Sequence, residues 1–203
     1  MSITTMRLFV ALDIEDAIRA RIERFVEGVR AFAPDARWVN PKSLHVTLKF
    51  IGEQPTEALE GIKQSLSGIR SAPFEIAFRG HGFFPNPKAA RVFWVGIEGP
   101  EQLGILAKRV DDSMYELGIA REDHPFSPHL TLARGGRSGA PQRKKGDRPN
   151  LKFKHLQERL AAFPVADFGT MTAREFFLYQ SKLSPTGSQY TKLSGFPLVF
   201  SIH

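Results

Sequence analysis

Apolar and polar residues alternate along this chain in short stretches that switch repeatedly between the strand and the helix period. Met6 to Asp13 reads as a strand, followed by a helix from about Glu15 to Ala33 with Ile18, Ile22, Phe25, Val26 and Val29 on one stripe, ended by Pro34. Leu44 to Ile51 is a second strand, closed by Gly52 and Pro55, and Thr56 starts a helix that runs to about Ile69. Phe74 to Phe84 and Arg91 to Ile97 read as strands joined by a turn over Pro85 to Pro87. Pro100 opens a third helix with Leu103, Leu106, Val110, Met114 and Leu117 as its buried stripe. His129 to Arg134 is a further strand, a helix spans about Phe153 to Phe163, and Ala173 to Gln180 and Tyr190 to Phe200 complete the strands. Several of these strands follow one another through turns too short for a parallel crossover. The order therefore predicts an α+β fold of antiparallel sheets with flanking helices.

Composition narrows the chemistry. The 203 residues include no cysteine, so disulfides, thiol nucleophiles and Cys-ligated metals are excluded and a reducing cytoplasm is the expected home. No basic and apolar leader is evident at the start, and no apolar run approaches the ~18 residues of a membrane span. A phosphate-cradling Gly-rich loop is also missing, which argues against nucleoside triphosphate chemistry.

The net charge is +7, from 28 Lys and Arg against 21 Asp and Glu. All of it sits between Arg134 and Lys154, where eight basic residues face one acidic residue, Asp147. Four Gly and two Pro between Gly135 and Pro149 make this stretch a basic loop. Such a loop attracts polyanions by charge alone, and a purely solubilising role is equally compatible with it.

A repeat carries more information than the charge. Ser43-Leu-His45-Val-Thr47-Leu-Lys-Phe-Ile-Gly52 aligns without gaps to Ser127-Pro-His129-Leu-Thr131-Leu-Ala-Arg-Gly-Gly136, 84 residues later, with Ser, His, Thr, Leu and Gly shared. On a strand, His45 and Thr47 share one face while Leu44, Val46 and Leu48 take the other, and the same holds for His129 and Thr131. A duplicated unit would bring both strands to one cleft. Two imidazoles supply an acid and a base near neutral pH, and two hydroxyls can donate to phosphoryl oxygens. That set suits metal-free phosphodiester hydrolysis. One copy of such a motif is readily surface filler; two matching copies are not. His81, His124, His155 and His203 match no motif, and His124 and His129 lie five apart across two prolines, poor spacing for a metal.

LHVTLKFIGE and HPFSPHLTLAR resemble the paired H-x-[ST]-x motifs of the 2H phosphoesterase superfamily, in particular its RNA 2',3'-cyclic phosphodiesterases, historically 2'-5' RNA ligases. RLFVALDI, GFFPNPKAARVFWVGI and FFLYQSKLSPTGSQYTKL resemble other landmarks of that family in the same order, whereas Gly135 to Phe163 fits it least. The resemblance implies one domain over residues 1–203, built of two pseudo-symmetric, intertwined lobes around a central cleft with the basic loop at about 135–150. It implies hydrolysis of a terminal 2',3'-cyclic phosphate to a 2'-phosphomonoester. His45 would be the general acid, His129 the general base, and Thr47 and Thr131 the phosphate ligands. No metal or other cofactor is implied. The partners would be RNA with cyclic phosphate ends or cyclic nucleotides. Nothing in the sequence demands more than a monomer.

Pseudo-symmetry prevents the sequence from saying which histidine is which. 2'-5' ligation, another cyclic nucleotide as substrate, and a non-catalytic RNA-binding module remain alternatives. Phe50 and Arg134 each lie five residues past their histidine and, by the resemblance, flank the terminal base, with Phe9 and Phe84 as further base-binding candidates. Strict alternation puts Phe50 and Arg134 on the face opposite the histidines. Only a bulge or the strand end would re-aim them. Tyr179, Ser181 and Tyr190 could line the cleft, but they read better as packing or turn residues.

Overall fold

A computed structural model describes residues 4–135, 151–184 and 187–199. Two antiparallel sheets carry the architecture. The strands are β1 (Thr5–Asp13), β2 (Arg37–Trp38), β3 (His45–Pro55), β4 (Phe74–Phe84), β5 (Val92–Glu98), β6 (His129–Arg134), β7 (Asp167–Ala173), β8 (Glu175–Ser184) and β9 (Gly187–Pro197). One sheet has the order β3-β1-β8-β9, the other β2-β6-β5-β4-β7. The helices are α1 (Asp16–Val29), α2 (Leu59–Ser67), α3 (Glu101–Glu116) and α4 (Lys154–Leu160). The fold is the expected α+β arrangement of two antiparallel lobes with flanking helices.

The alternation of each strand separates two faces. Leu8, Val10 and Leu12 of β1 and Phe93, Val95 and Ile97 of β5 enter one continuous core with Ile18 and Ile22 of α1 and Leu106 and Val110 of α3. The opposite face of the first sheet carries a separate small cluster of Phe9, Ala11 and Tyr179, with Phe177 and Tyr190 packed against it. Motif strands β3 and β6 belong to different sheets, yet residues of the two come within 8 Å of each other, Cα to Cα.

Several boundaries differ from the sequence expectation, each for a local reason. Gly52 does not close β3; its φ of 85° carries the strand through a register shift and on to Pro55. Leu117 is not in the buried stripe of α3: it follows the last helical residue, the chain turns at Gly118 (φ 80°), and Leu117 is 45% exposed. The run expected over Ala173–Gln180 is β8, and β7 (Asp167–Ala173), which precedes it and ends at Ala173, is not anticipated by the sequence pattern; Arg174 separates the two. Beyond Gly135, the expected basic loop lies outside the described residues.

Candidate active site

The two motif strands are built alike. In β3 the register against β1 passes from Ala11↔Thr47 to Val10↔Lys49, so Leu48 has no rung of its own. In β6 the register against β5 passes from Trp94↔Thr131 to Phe93↔Ala133, so Leu132 is skipped in the same way. Each is a bulge three residues past the motif histidine, and each flips the alternation once. Lys49 and Ala133 therefore turn into the core, and Phe50 and Arg134 return to the face of His45, Thr47, His129 and Thr131. This removes the conflict that strict alternation posed. Phe50 is 55% exposed, with its ring centroid 6.2 Å from that of Phe9.

Both imidazoles are held by the same bond. His45 Nδ1 lies 2.8 Å from the Ser43 carbonyl oxygen, and His129 Nδ1 lies 2.8 Å from that of Ser127. A carbonyl only accepts, so Nδ1 carries the proton in each ring and Nε2 is left for exchange with a ligand. The turn before His45 is itself tied down by Arg19 of α1. Its guanidinium donates to the Pro41 carbonyl at 2.6 Å and to the Asp13 carboxylate at 2.9 Å.

Aromatic rings surround each histidine. Phe9 lies 4.7 Å from His45 and Tyr190 meets it edge-on at 5.0 Å, while Phe84 meets His129 edge-on at 4.9 Å. Phe9 is only 2% exposed and stacks on Tyr179, so it backs His45 and offers no open platform. Tyr190 packs against the Phe9 cluster, as the sequence reading expects, and its ring also meets His45. Phe84 also packs on Trp94, whose ring lies over Gly82.

Electrostatics separate two otherwise equivalent sites. Burial pushes the His45 imidazole down to about 4; the Ser43 bond and Asp13 act upward, while Arg134 and Arg19 act downward. His129 is also lowered, first by burial and then by Arg134, with the Ser127 bond opposing. The Arg134 charge thus reaches both rings. Opposite His45 in the ladder stands Asp13, and opposite His129 stands Gly96. A Cβ on Gly96 would lie 2.5 Å from the Arg79 carbonyl oxygen, so no carboxylate can stand there. Burial works against the Asp13 charge, yet bonds from Lys192 at 2.6 Å and the Ile14 N–H, with Arg19, hold its carboxyl below the usual range.

Two bulged His-x-Thr strands thus carry matched imidazoles and approach within 8 Å, Cα to Cα, the arrangement expected of a phosphoesterase with paired histidines. The family described as LigT-like phosphoesterase matches residues 12–94 and 95–190, one motif in each segment. The chain belongs to the LigT-like phosphoesterase family. It is 36% identical over 191 residues to an RNA 2',3'-cyclic phosphodiesterase of Archaeoglobus fulgidus, covering 94% of this chain and 99% of the relative. It is 32% identical to the Methanothermobacter thermautotrophicus protein of the same name, covering 95% and 99%. Among solved structures, E. coli LigT complexed with 3'-AMP superposes with a TM-score of 0.75 at 26% identity, covering 96% of this chain and 99% of that one. The Thermus thermophilus protein TT0787 gives 0.75 at 32% identity, covering 97% and 100%.

Proposed function

We infer that this protein hydrolyses RNA 2',3'-cyclic phosphate ends to 2'-phosphomonoesters by general acid and base catalysis from its two motif histidines. Water attacks phosphorus, His129 Nε2 takes its proton, and the P–O3' bond breaks as His45 Nε2–H protonates the departing 3' oxygen. The Thr47 and Thr131 hydroxyls hold the non-bridging oxygens and the negative charge they carry. Phe50 and the planar face of Arg134 flank the terminal base, and Phe9 and Phe84 pack against the two imidazoles.

The observation that carries this reading is the shared Nδ1–H to carbonyl bond, which presents both Nε2 atoms on strands that meet. Asp13 opposite His45 supports the acid assignment, because a carboxylate favours the imidazolium. In the free protein burial outweighs Asp13, so protonation of His45 is completed by the anionic phosphate. Incubating the protein with an RNA ending in a 2',3'-cyclic phosphate tests the reading. A 2'-phosphate product that persists in EDTA is expected. A 3'-phosphate product would reverse the two histidines. Salt-dependent binding without turnover would overturn the activity itself.

The pH dependence follows from the directions of the two shifts. A general acid must be charged, and a lowered pKa means that the charged form exists only at lower pH. The kcat/KM of the free enzyme is therefore expected to peak below pH 6.5, the ordinary imidazole value, and to fall as pH rises through neutrality. The alkaline limb of kcat lies at higher pH than that of kcat/KM, because bound phosphate raises both imidazoles. Coincident limbs would show that the phosphate does not charge the acid.

A further inference from the structure

The two-residue strand β2 has a narrow set of partners. Arg37 pairs with Arg134 and Trp38 with Ala133, and the Val39 N–H donates to the carbonyl of Leu132, the bulged residue, at 2.8 Å. Trp38 anchors the segment: its ring packs edge-on against Phe93 at 6.0 Å and its Nε1–H donates to the Ala33 carbonyl at 3.2 Å. With Trp38 and the buried Ala133 on the core side, Arg37 and Arg134 share the cleft side. The row that crosses the second sheet at this level reads Arg37, Arg134, Val92, Phe84, and Phe84 touches His129.

A like-charge pair directly across two strands is unfavourable. Burial first, and the Arg37 charge with it, pulls the Arg134 guanidinium below its ordinary value, so the two cations feel each other. An anion bridging them reverses the sign of that interaction. The row lies two rungs past Thr131, about 7 Å along the strand from the hydroxyl assigned to the reacting phosphate.

We propose that Arg37 and Arg134 form a subsite for the phosphodiester that joins the terminal nucleotide to the one before it. The proposal rests on the cyclic phosphodiesterase reading and adds to it a preference for chains over mononucleotides. The flat face of Arg134 stays on the terminal base while its in-plane N–H groups and those of Arg37 grip the phosphate, since a guanidinium stacks and donates in perpendicular directions. Arg37 is exposed, carried on a strand whose other residue, Trp38, packs against the core, which suits a rigid contact for a flexible ligand.

The experiment compares kcat/KM on adenosine 2',3'-cyclic phosphate with that on a diadenylate ending in the same cyclic group. The wild type is expected to favour the dinucleotide, and Arg37→Ala to lower the dinucleotide-to-mononucleotide ratio roughly tenfold, with Arg37→Lys between them. The slope of log kcat/KM on log salt for the dinucleotide should also lose about 0.7, one phosphate contact on a single strand. An unchanged ratio in Arg37→Ala, or a lower ratio with an unchanged slope, overturns the proposal. A diadenylate with a neutral methylphosphonate linkage tests the wild type directly, whatever the stability of the variants. It should behave as the mononucleotide does, and retention of the full dinucleotide advantage overturns the subsite. Should the wild type turn over none of these, the activity reading fails. Calorimetric binding of the charged and neutral linkages then decides the subsite by itself: tighter binding of the charged one supports it, and equal affinities overturn it.

Discussion

Replacing either His45 or His129 with alanine is expected to lower kcat on a cyclic-phosphate RNA by about 10²–10⁴-fold, the usual weight of one positioned proton transfer. KM should move far less, because Thr47, Thr131, Arg134 and Phe50 remain on the cleft face in both variants. The double variant should fall little below the worse single one. An acid without its base, or the reverse, already forfeits the concerted step, and groups that act as a unit are not additive. Folding should survive, because neither ring belongs to the main core and each bonds only a carbonyl two residues away. The two variants are also expected to differ in their pH dependence. Loss of His129 removes the acidic limb of kcat and loss of His45 the alkaline one, since the base must be neutral and the acid charged. Full activity in both single variants would sink the two-histidine mechanism, and the same limb lost in both would remove the acid and base assignment.

The sequence displays the motif but not the frame that aims it. His129–Arg134 is legible as a strand to the residue, because its apolar positions alternate cleanly and Pro128 precedes it. The antiparallel lobes are legible for the same reason: the period of two is written in each segment separately. The bulges are not, since a skipped rung exists only relative to a partner strand, and nothing in HVTLKF says that Leu48 will lack one. Asp13 is hidden likewise; it meets His45 through the register of β1 with β3, across 32 positions of sequence. β2 escapes notice because two residues show no period. It is a strand only because Ala133 and Arg134 offer it an edge. Tyr190 reads as a packing residue and packs as one, and its contact with His45 arises only once β9 is laid beside β8, which itself pairs with β1. Chemistry-bearing residue types are thus readable one strand at a time, and their relative placement is set by long-range pairing.

Asp111→Ala is expected to destabilise the protein by about 3–5 kcal/mol, the usual cost of leaving a buried charge without its partner. The bulge that returns Phe50 to the cleft sends Lys49 into the interior, where its side chain is 1% exposed. Its ammonium bonds the Asp111 carboxylate at 2.6 Å and the Ala120 carbonyl at 2.8 Å. Without Asp111, the neutral Ala120 carbonyl is its one remaining partner among the described residues. Lys49→Met, by contrast, removes the buried charge itself and keeps most of the volume, so its expected effect is near neutral or stabilising. Thermal unfolding separates the two, at about 2–4 °C per kcal/mol for a chain of this size.

The same carboxylate links stability to the site. Asp111 accepts from the Glu122 N–H at 3.3 Å, and Glu122 in turn accepts from the Phe50 N–H at 3.1 Å. Asp111→Ala should therefore also loosen Phe50 and raise KM, whereas Lys49→Met should not. Burial opposes the Asp111 charge, but Lys49, the Glu122 N–H and Arg121 together hold its carboxyl below the usual value of 3.8. A depressed carboxyl stabilises the fold above its unfolded pKa and ceases to do so as pH falls through the folded one. The gap between wild type and Asp111→Ala should hence be full at neutral pH and close below about pH 4. Equal, small losses in Asp111→Ala and Lys49→Met would mean that water reaches the ammonium and that the pair contributes no more than one on the surface, within about 1 kcal/mol.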